Sequence, residues 1–218
     1  MTQAAPAAGA PRASRLDRRK ARTRQALIDA AVRLIGEGRG GRASIQEITE
    51  AADIGSGSFY NHFDSKEQLF ATASAEMLER WGQMIDRASA GITDPAERVA
   101  VGVRIAGRLG WTHPDIAAFV SGAGLAVLDT PDGLESRALR DIRAGKAAGR
   151  FTVPDAEVAL SAVAGGLLGL LRLRQRHPER ITETAVDQLA EAVLRLLGVP
   201  APDAARLAAL HLPDTGTW

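Results

Sequence analysis

Few residues in this 218-residue chain are of types that do covalent chemistry, and none is spaced for it. There is no cysteine, which excludes disulfides, thiolate metal sites and cysteine nucleophiles and suits a reducing compartment. The four histidines, His62, His113, His177 and His211, lack metal-ligand spacing, and no phosphate-cradling Gly-rich loop or Ser/His/Asp set is recognisable, so neither a cofactor nor a catalytic residue is expected. What the sequence does concentrate is charge. Residues 1–66 carry 11 Lys and Arg against 7 Asp and Glu, whereas residues 67–218 carry 16 against 19. A basic head on a slightly acidic body is the pattern of a polyanion-binding module attached to something else.

The elements that must position those charges read as helices throughout. Residues 1–11 are small and Pro-rich, with neither the charged start nor the apolar run of a secretory signal, and are expected to be a disordered tail. From near Arg18, Leu27, Ala30, Ala31, Leu34 and Ile35 fall at helical spacing until Gly36 and the glycine-rich stretch 38–41, with Gly38, Gly40 and Gly41. Ser44 and Glu47 form a capping box for a second helix whose apolar side is Ile45, Ile48, Ala51 and Ala52. After Asp53 and Ile54, the Gly55-Ser56-Gly57-Ser58 turn leads into a short third helix, with Ser56 or Ser58 as possible caps. Phe59 and Phe63 share one face of it and can pack on Ile48 and Ile54, leaving a polar face outward.

Ser65 caps a long fourth helix carrying an apolar stripe from Leu69 to about Ala90. Asp94-Pro95 starts the next, which continues to the break at Trp111-Thr112-His113-Pro114, and shorter pieces are expected at about 115–127 and 133–148. Residues 158–171 are uncharged and apolar except for Ser161, but fourteen residues fall short of the roughly 20 that span a bilayer. A helix over 155–176 buried on two sides, not a membrane segment, is the expected reading. A last strong helix over 182–197 has a stripe wider than one neighbour needs. No period-2 strand is evident, so the expected fold is all-α.

A capped helix, a small turn and a third helix presenting a polar face are the parts of a helix-turn-helix, which sets the start of its reading helix in the DNA major groove. The opening apolar helix, Ser44-Ile45-Gln46-Glu47-Ile48, Ala51-Ala52 and the run SFYNHFDSKEQLF resemble the DNA-binding head of the TetR family of bacterial repressors over about residues 18–70. The resemblance implies an all-α architecture: a three-helix head over 18–66 after a basic tail at 1–17, a larger helical ligand-binding and dimerisation bundle over 67–200, and a tail or short helix at 201–218.

It further implies base-reading positions at Gln46, Ser56, Gly57, Ser58 and Asn61, and phosphate contacts at Ser44, Tyr60, His62 and Lys66. The basic arm Arg18, Arg19, Lys20, Arg22 and Arg24 supplements the latter. Of the reading positions, only Gln46 has a side chain suited to bidentate pairing, with adenine, while Gly57 offers close backbone approach. His62 can equally be a packed core histidine, and Lys66 a surface lysine. The Gly55–Ser58 turn is small and flexible for a reading surface, so DNA shape is expected to share the work.

For the body, the resemblance implies a cytoplasmic regulator that is not an enzyme, most simply a repressor. It would bind a pseudo-palindromic double-stranded operator as a homodimer through the helices near 155–176 and 182–197, where Gly165, Gly166 and Gly169 allow close approach. A small-molecule effector, uncharged or lipophilic, would release it. Met77, Trp81, Met84, Trp111, His113, Phe119 and Leu167 are the residues to search for its pocket, although a Met and Trp stripe at helical spacing also describes plain core. A ligand-independent regulator or an activator with the same head is the alternative.

Overall fold

The computed structural model describes residues 14–124 and 133–213, and the expected helix over 115–127 runs partly outside them. No strand occurs among the described residues. The first helix, α1 (Arg15–Gly36), starts three residues ahead of the expected Arg18, because Ser14 and Asp17 form a capping box of their own. Helix α2 (Ile45–Ala51) follows, capped by Ser44 and Glu47 as the sequence predicts. Asp53 ends it with a left-handed backbone, φ 54°, which lets the Ile54 N–H reach back to the Thr49 carbonyl at 3.0 Å.

The third element differs from expectation. Instead of a short α-helix, Ser56–Asn61 forms a 3₁₀ segment whose cap position is Gly55, with no side-chain cap bond. The cap Gly55 and the opening Ser56, Gly57 and Ser58 supply little helix propensity, and the tighter i→i+3 bonding, Ser58 N–H to Gly55 carbonyl at 2.9 Å, takes over. An α-type bond from the Phe63 N–H to the Phe59 carbonyl, 3.1 Å, still puts both rings on one side.

The long linker helix is α3 (Lys66–Ser89), capped by Ser65. The body comprises α4 (Pro95–Gly107), α5 (Leu109–Thr112), α6 (Pro114–Ala123), α7 (Leu134–Ala147), α8 (Ala156–Arg176), α9 (Glu183–Leu196) and α10 (Ala201–Ala208). Asp94 with Pro95 and Asp155 with two backbone N–H bonds begin α4 and α8 where the sequence places those starts. Helix α10 buries Ala204 and Leu207 fully against the body.

Two apolar clusters hold the fold. One is continuous from the head, through Leu27, Ile28, Ile48, Phe59 and Phe63, along α3 into α4, α6 and α8. The other gathers α4, α7, α8, α9 and α10 around Leu194, Leu197 and Leu207. Both α3 and α6 pack on α1, so the body grips the head through two elements. Between α4 and α9, the buried Arg104 donates to Asp187 at 2.7 Å and to the Leu210 carbonyl, satisfying a charge that would otherwise be costly to bury.

Helix α8 is long and apolar enough to cross a membrane, but it packs on α4, α6, α7 and α9, and its outward side mixes small and charged residues with the exposed Val158 and Leu173. Gly166 faces α9, where a Cβ would lie 3.2 Å from Leu189; Gly165 and Gly169 face open space. Val158, Leu173 and, on α9, Leu196 are the large apolar residues exposed on this side.

Candidate nucleic-acid interface

The head presents one polar, basic surface on a buried aromatic base. Phe59 is fully buried and Phe63 nearly so, their ring centroids 6.2 Å apart, and Tyr60 meets Phe59 edge-on at 5.4 Å while remaining two-thirds exposed. Burying the two phenylalanines fixes the 3₁₀ segment against Ile48, and its polar residues are thereby turned outward. Ser56, Gly57, Tyr60 and Asn61 are exposed and Ser58 half-buried. A Cβ at Gly57 would meet nothing within 4 Å, so the fold does not require glycine there.

Helix α2 lies alongside. Gln46 is exposed on its first turn, and its amide donates to Glu50 at 2.9 Å. The Ser44 N–H and hydroxyl donate to Glu47 at 2.8 and 2.9 Å and hold that carboxyl below the usual range; Arg39 also pairs with it. The Arg33 guanidinium donates to the Ala51 carbonyl at 2.6 Å, setting α1 against the end of α2. Lys66 reaches the Ala43 carbonyl with its Nζ at 3.3 Å, which places its charge beside Ser44 at the start of α2.

Along the N-terminal half of α1, Arg18, Arg19, Lys20 and Arg22 are exposed; among the described residues none forms a direct ion pair, and only Lys20 feels a nearby carboxylate, Asp17. Arg24 lies over the Phe63 ring at 5.0 Å and within 3.8 Å of Glu76. His62 sits between the arm and the segment, half-buried, with its Nδ1 buried and unbonded. Burial, and then the Lys20 and Arg24 charges, push its imidazole below the ordinary range, so it is neutral at pH 7. The structure therefore gathers the expected positions Ser44, Gln46, Ser56, Gly57, Ser58, Tyr60, Asn61, His62, Lys66, Arg18, Lys20 and Arg22 on the head, with Gln46 and the 3₁₀ segment on adjacent elements. Cations that face outward without partners, beside exposed hydroxyls and amides, are chemically suited to a phosphate backbone and base edges.

A cavity of about 160 Å³ opens inside the body among α3, α4, α6, α7 and α8. Its walls are apolar, including Ile85, Val99, Val103, Val120, Val163 and Leu167, and Asp86, Arg98, Arg137 and Asp141 form a charged side. Of the residues singled out from sequence, Trp81 and Leu167 line it. The other five lie elsewhere. Met77 and Met84 are ordinary core of α3, Phe119 packs on the head-to-body cluster, His113 stands at the start of α6, and Trp111 is covered by the Arg174 guanidinium 3.4 Å from its ring centroid. Trp81 also carries a buried Nε1 without a hydrogen-bond partner.

Sequence reasoning missed the charged side, because its pairs join residues far apart in the chain. Arg137 bonds Glu79 at 2.8 Å and Asp86 at 2.8 Å, and Arg98 bonds Asp141 at 3.4 Å. Only the density of arginines on α7 hinted at partners. Among the described residues no cluster of three or more His, Asp or Glu could hold a metal ion.

Comparison with known proteins bears on both parts. Residues 27–73 match the family model described as bacterial regulatory proteins, tetR family, and residues 94–210 match the tetracyclin repressor-like C-terminal domain. The crystal structure of RolR in complex with the ligand resorcinol superposes with a TM-score of 0.71 at 31% identity, covering 91% of this chain and 99% of that one. The HTH-type transcriptional regulator BetI of Rhizobium meliloti is 32% identical over 98 residues, 44% of this chain and 47% of its own. An HTH-type regulator of Mycobacterium tuberculosis is 30% identical over 93 residues, 43% and 46% of the two chains. These matches span about half the length of the curated relatives.

Proposed function

Because the chain belongs to the TetR family of bacterial transcriptional regulators, we propose that it is a repressor that binds a pseudo-palindromic operator as a homodimer and is released by a small-molecule effector. In this reading Gln46 pairs with a base in the major groove, and Ser56, Gly57, Ser58 and Asn61 contribute close approach and short polar contacts. Ser44, Tyr60, His62, Lys66 and the Arg18–Arg24 arm hold phosphates. The seam between protomers runs along α8 and α9, where Val158, Gly165, Gly169, Leu173 and Leu196 face outward. The domain limits follow: a head over 18–66 and a bundle over 67–200 closed by α10. The protein acts in the cytoplasm, without catalysis.

One observation carries the effector part. Of the five helices around the cavity, α3 supplies Trp81, Gly82, Ile85 and Asp86 and α6 supplies Val120, and these two also pack on α1. A molecule that spreads those walls therefore moves elements attached to the head, and a shift at α3 changes the spacing at which two heads meet successive major grooves. About 160 Å³ is near the roughly 150 Å³ at which an apolar protein cavity admits benzene. Apolar walls with a charged side suit a small ring molecule bearing one or two hydroxyls, in keeping with the resorcinol held by RolR.

Gel-shift titration against the promoter regions flanking the gene, with and without resorcinol and related small phenols, tests the reading. A specific shift reversed by one of these phenols is expected. No specific shift at low salt would overturn the operator reading, and a shift that none of them changes would overturn this effector class.

A further inference from the structure

Most arginines of the body are neutralised by carboxylates: Arg80, Arg98, Arg104, Arg108, Arg137, Arg140, Arg143, Arg150 and Arg206 each have an acidic partner. The end of α8 and the loop after it are different. Arg172, Arg176 and Arg180 are exposed and have no partner among the described residues. Glu179 is the one acid in this stretch, and its neighbour is His177 at 3.8 Å. Elsewhere in the body only Arg87 and Arg195 are similarly bare, and they stand apart near the C-terminal ends of α3 and α9.

The position of this basic end is fixed by Arg174, which points inward. Its guanidinium stacks on Trp111 and donates to the Ile181 and Gly110 carbonyls, and Gln175 donates to the Ala117 carbonyl of α6 at 3.3 Å. Since α6 packs on α1, the α8 terminus lies at the head end of the body. Arg172 and Arg176 continue the outward stripe of Val158, Gly165 and Gly169, so in a dimer paired along that stripe two copies of the basic end meet near the two-fold axis. Six guanidiniums would then converge on the head side of an otherwise acidic body. Like charges that close repel one another unless a polyanion sits between them.

We propose that Arg172, Arg176 and Arg180 form a second DNA-backbone contact, reaching phosphates of the duplex between the two half-sites read by the heads. This rests on the operator-binding dimer proposed above and adds the body itself to the DNA-binding surface. The contact carries no base information and adds to affinity and to its salt dependence.

The test uses the full-length dimer and a duplex selected by the wild type from a random library, beside a scrambled duplex of equal length. Dissociation constants are measured across salt for the wild type, for R172Q/R176Q/R180Q and for R172K/R176K/R180K. Each lost phosphate contact lowers the slope of log affinity against log salt by about 0.9. With three arginines removed from each of the two protomers, the glutamine variant is expected to lose up to about five from that slope, to weaken on both duplexes alike and to keep its base preference; the lysine variant is expected to retain the slope. An unchanged slope in the glutamine variant overturns the proposal. So does a loss that lysine does not restore, or one that sedimentation traces to a dissociated dimer. A wild type that retains no duplex at low salt instead overturns the operator reading.

Discussion

Gln46 and Gly57 illustrate how little of the proposed reading surface the fold itself needs. The Gln46 amide is held only by Glu50, an exposed partner on the next turn, and Gly57 borders open space. Gln46→Ala is therefore expected to leave the melting temperature unchanged and to cost about 1–3 kcal/mol at one base position, seen as relaxed preference in a binding selection. Equal losses on specific and random DNA would contradict base reading. Gly57→Ala should fold as well as the wild type and yet bind the operator more weakly, because the added methyl meets DNA and not protein. His62 adds a pH signature. Its imidazole is neutral at pH 7 through burial and the Lys20 and Arg24 charges, and a phosphate beside it would raise its affinity for a proton. Binding should take up a proton, so affinity is expected to rise between pH 7.5 and 6 more steeply in the wild type than in His62→Gln, as measured by DNA titration at fixed salt.

At the scale of elements, the 3₁₀ segment is held by what it buries and not by its own propensity. Ser56–Asn61 has no side-chain cap and carries Gly57 behind a Gly55 cap position, yet Phe59 within it is fully buried. Phe59→Ala should accordingly cost about 3–5 kcal/mol and abolish DNA binding through loss of the head, visible as a lowered melting temperature. The contrast with α2 is instructive. Its capping box, Ser44 with Glu47, is local and appears where the residues place it, whereas the 3₁₀ geometry depends on Phe59 and Phe63 docking against α1 and α2.

For the whole molecule, long-range ion pairs tie the body helices. Arg150 bonds Asp94 at 2.9 Å and also pairs with Asp203, joining the start of α4 to α10. Arg150 hydrogen bonds hold both carboxyls below their ordinary value near 3.8. Carboxyls depressed in this way stabilise the fold above about pH 4 and lose that contribution as pH falls through their lower folded values. Thermal melts should show the wild type losing stability below pH 4, with Arg150→Gln less stable at pH 7 and less sensitive to acid. The same scale governs the cavity, which exists only because α3, α4, α6, α7 and α8 meet around it.

By itself the sequence determined whatever depends on neighbours within a turn or two: helix caps at Ser44 and Ser65, helix starts at Asp94 and Asp155, the buried Phe59 and Phe63, the basic arm, and a motif dense enough to resemble one family. Tertiary structure decided whatever requires distant residues to meet. It made the third element of the head a 3₁₀ segment, sent Met77 and Met84 to the core and Trp111 beneath Arg174, and built the cavity's charged side from Asp86, Arg98, Arg137 and Asp141. Caps and apolar stripes are set by local hydrogen bonding and periodicity, so they are legible in order along the chain. Which face of a stripe lines a cavity, and which arginine finds an acid more than fifty residues away, depends on how the helices pack.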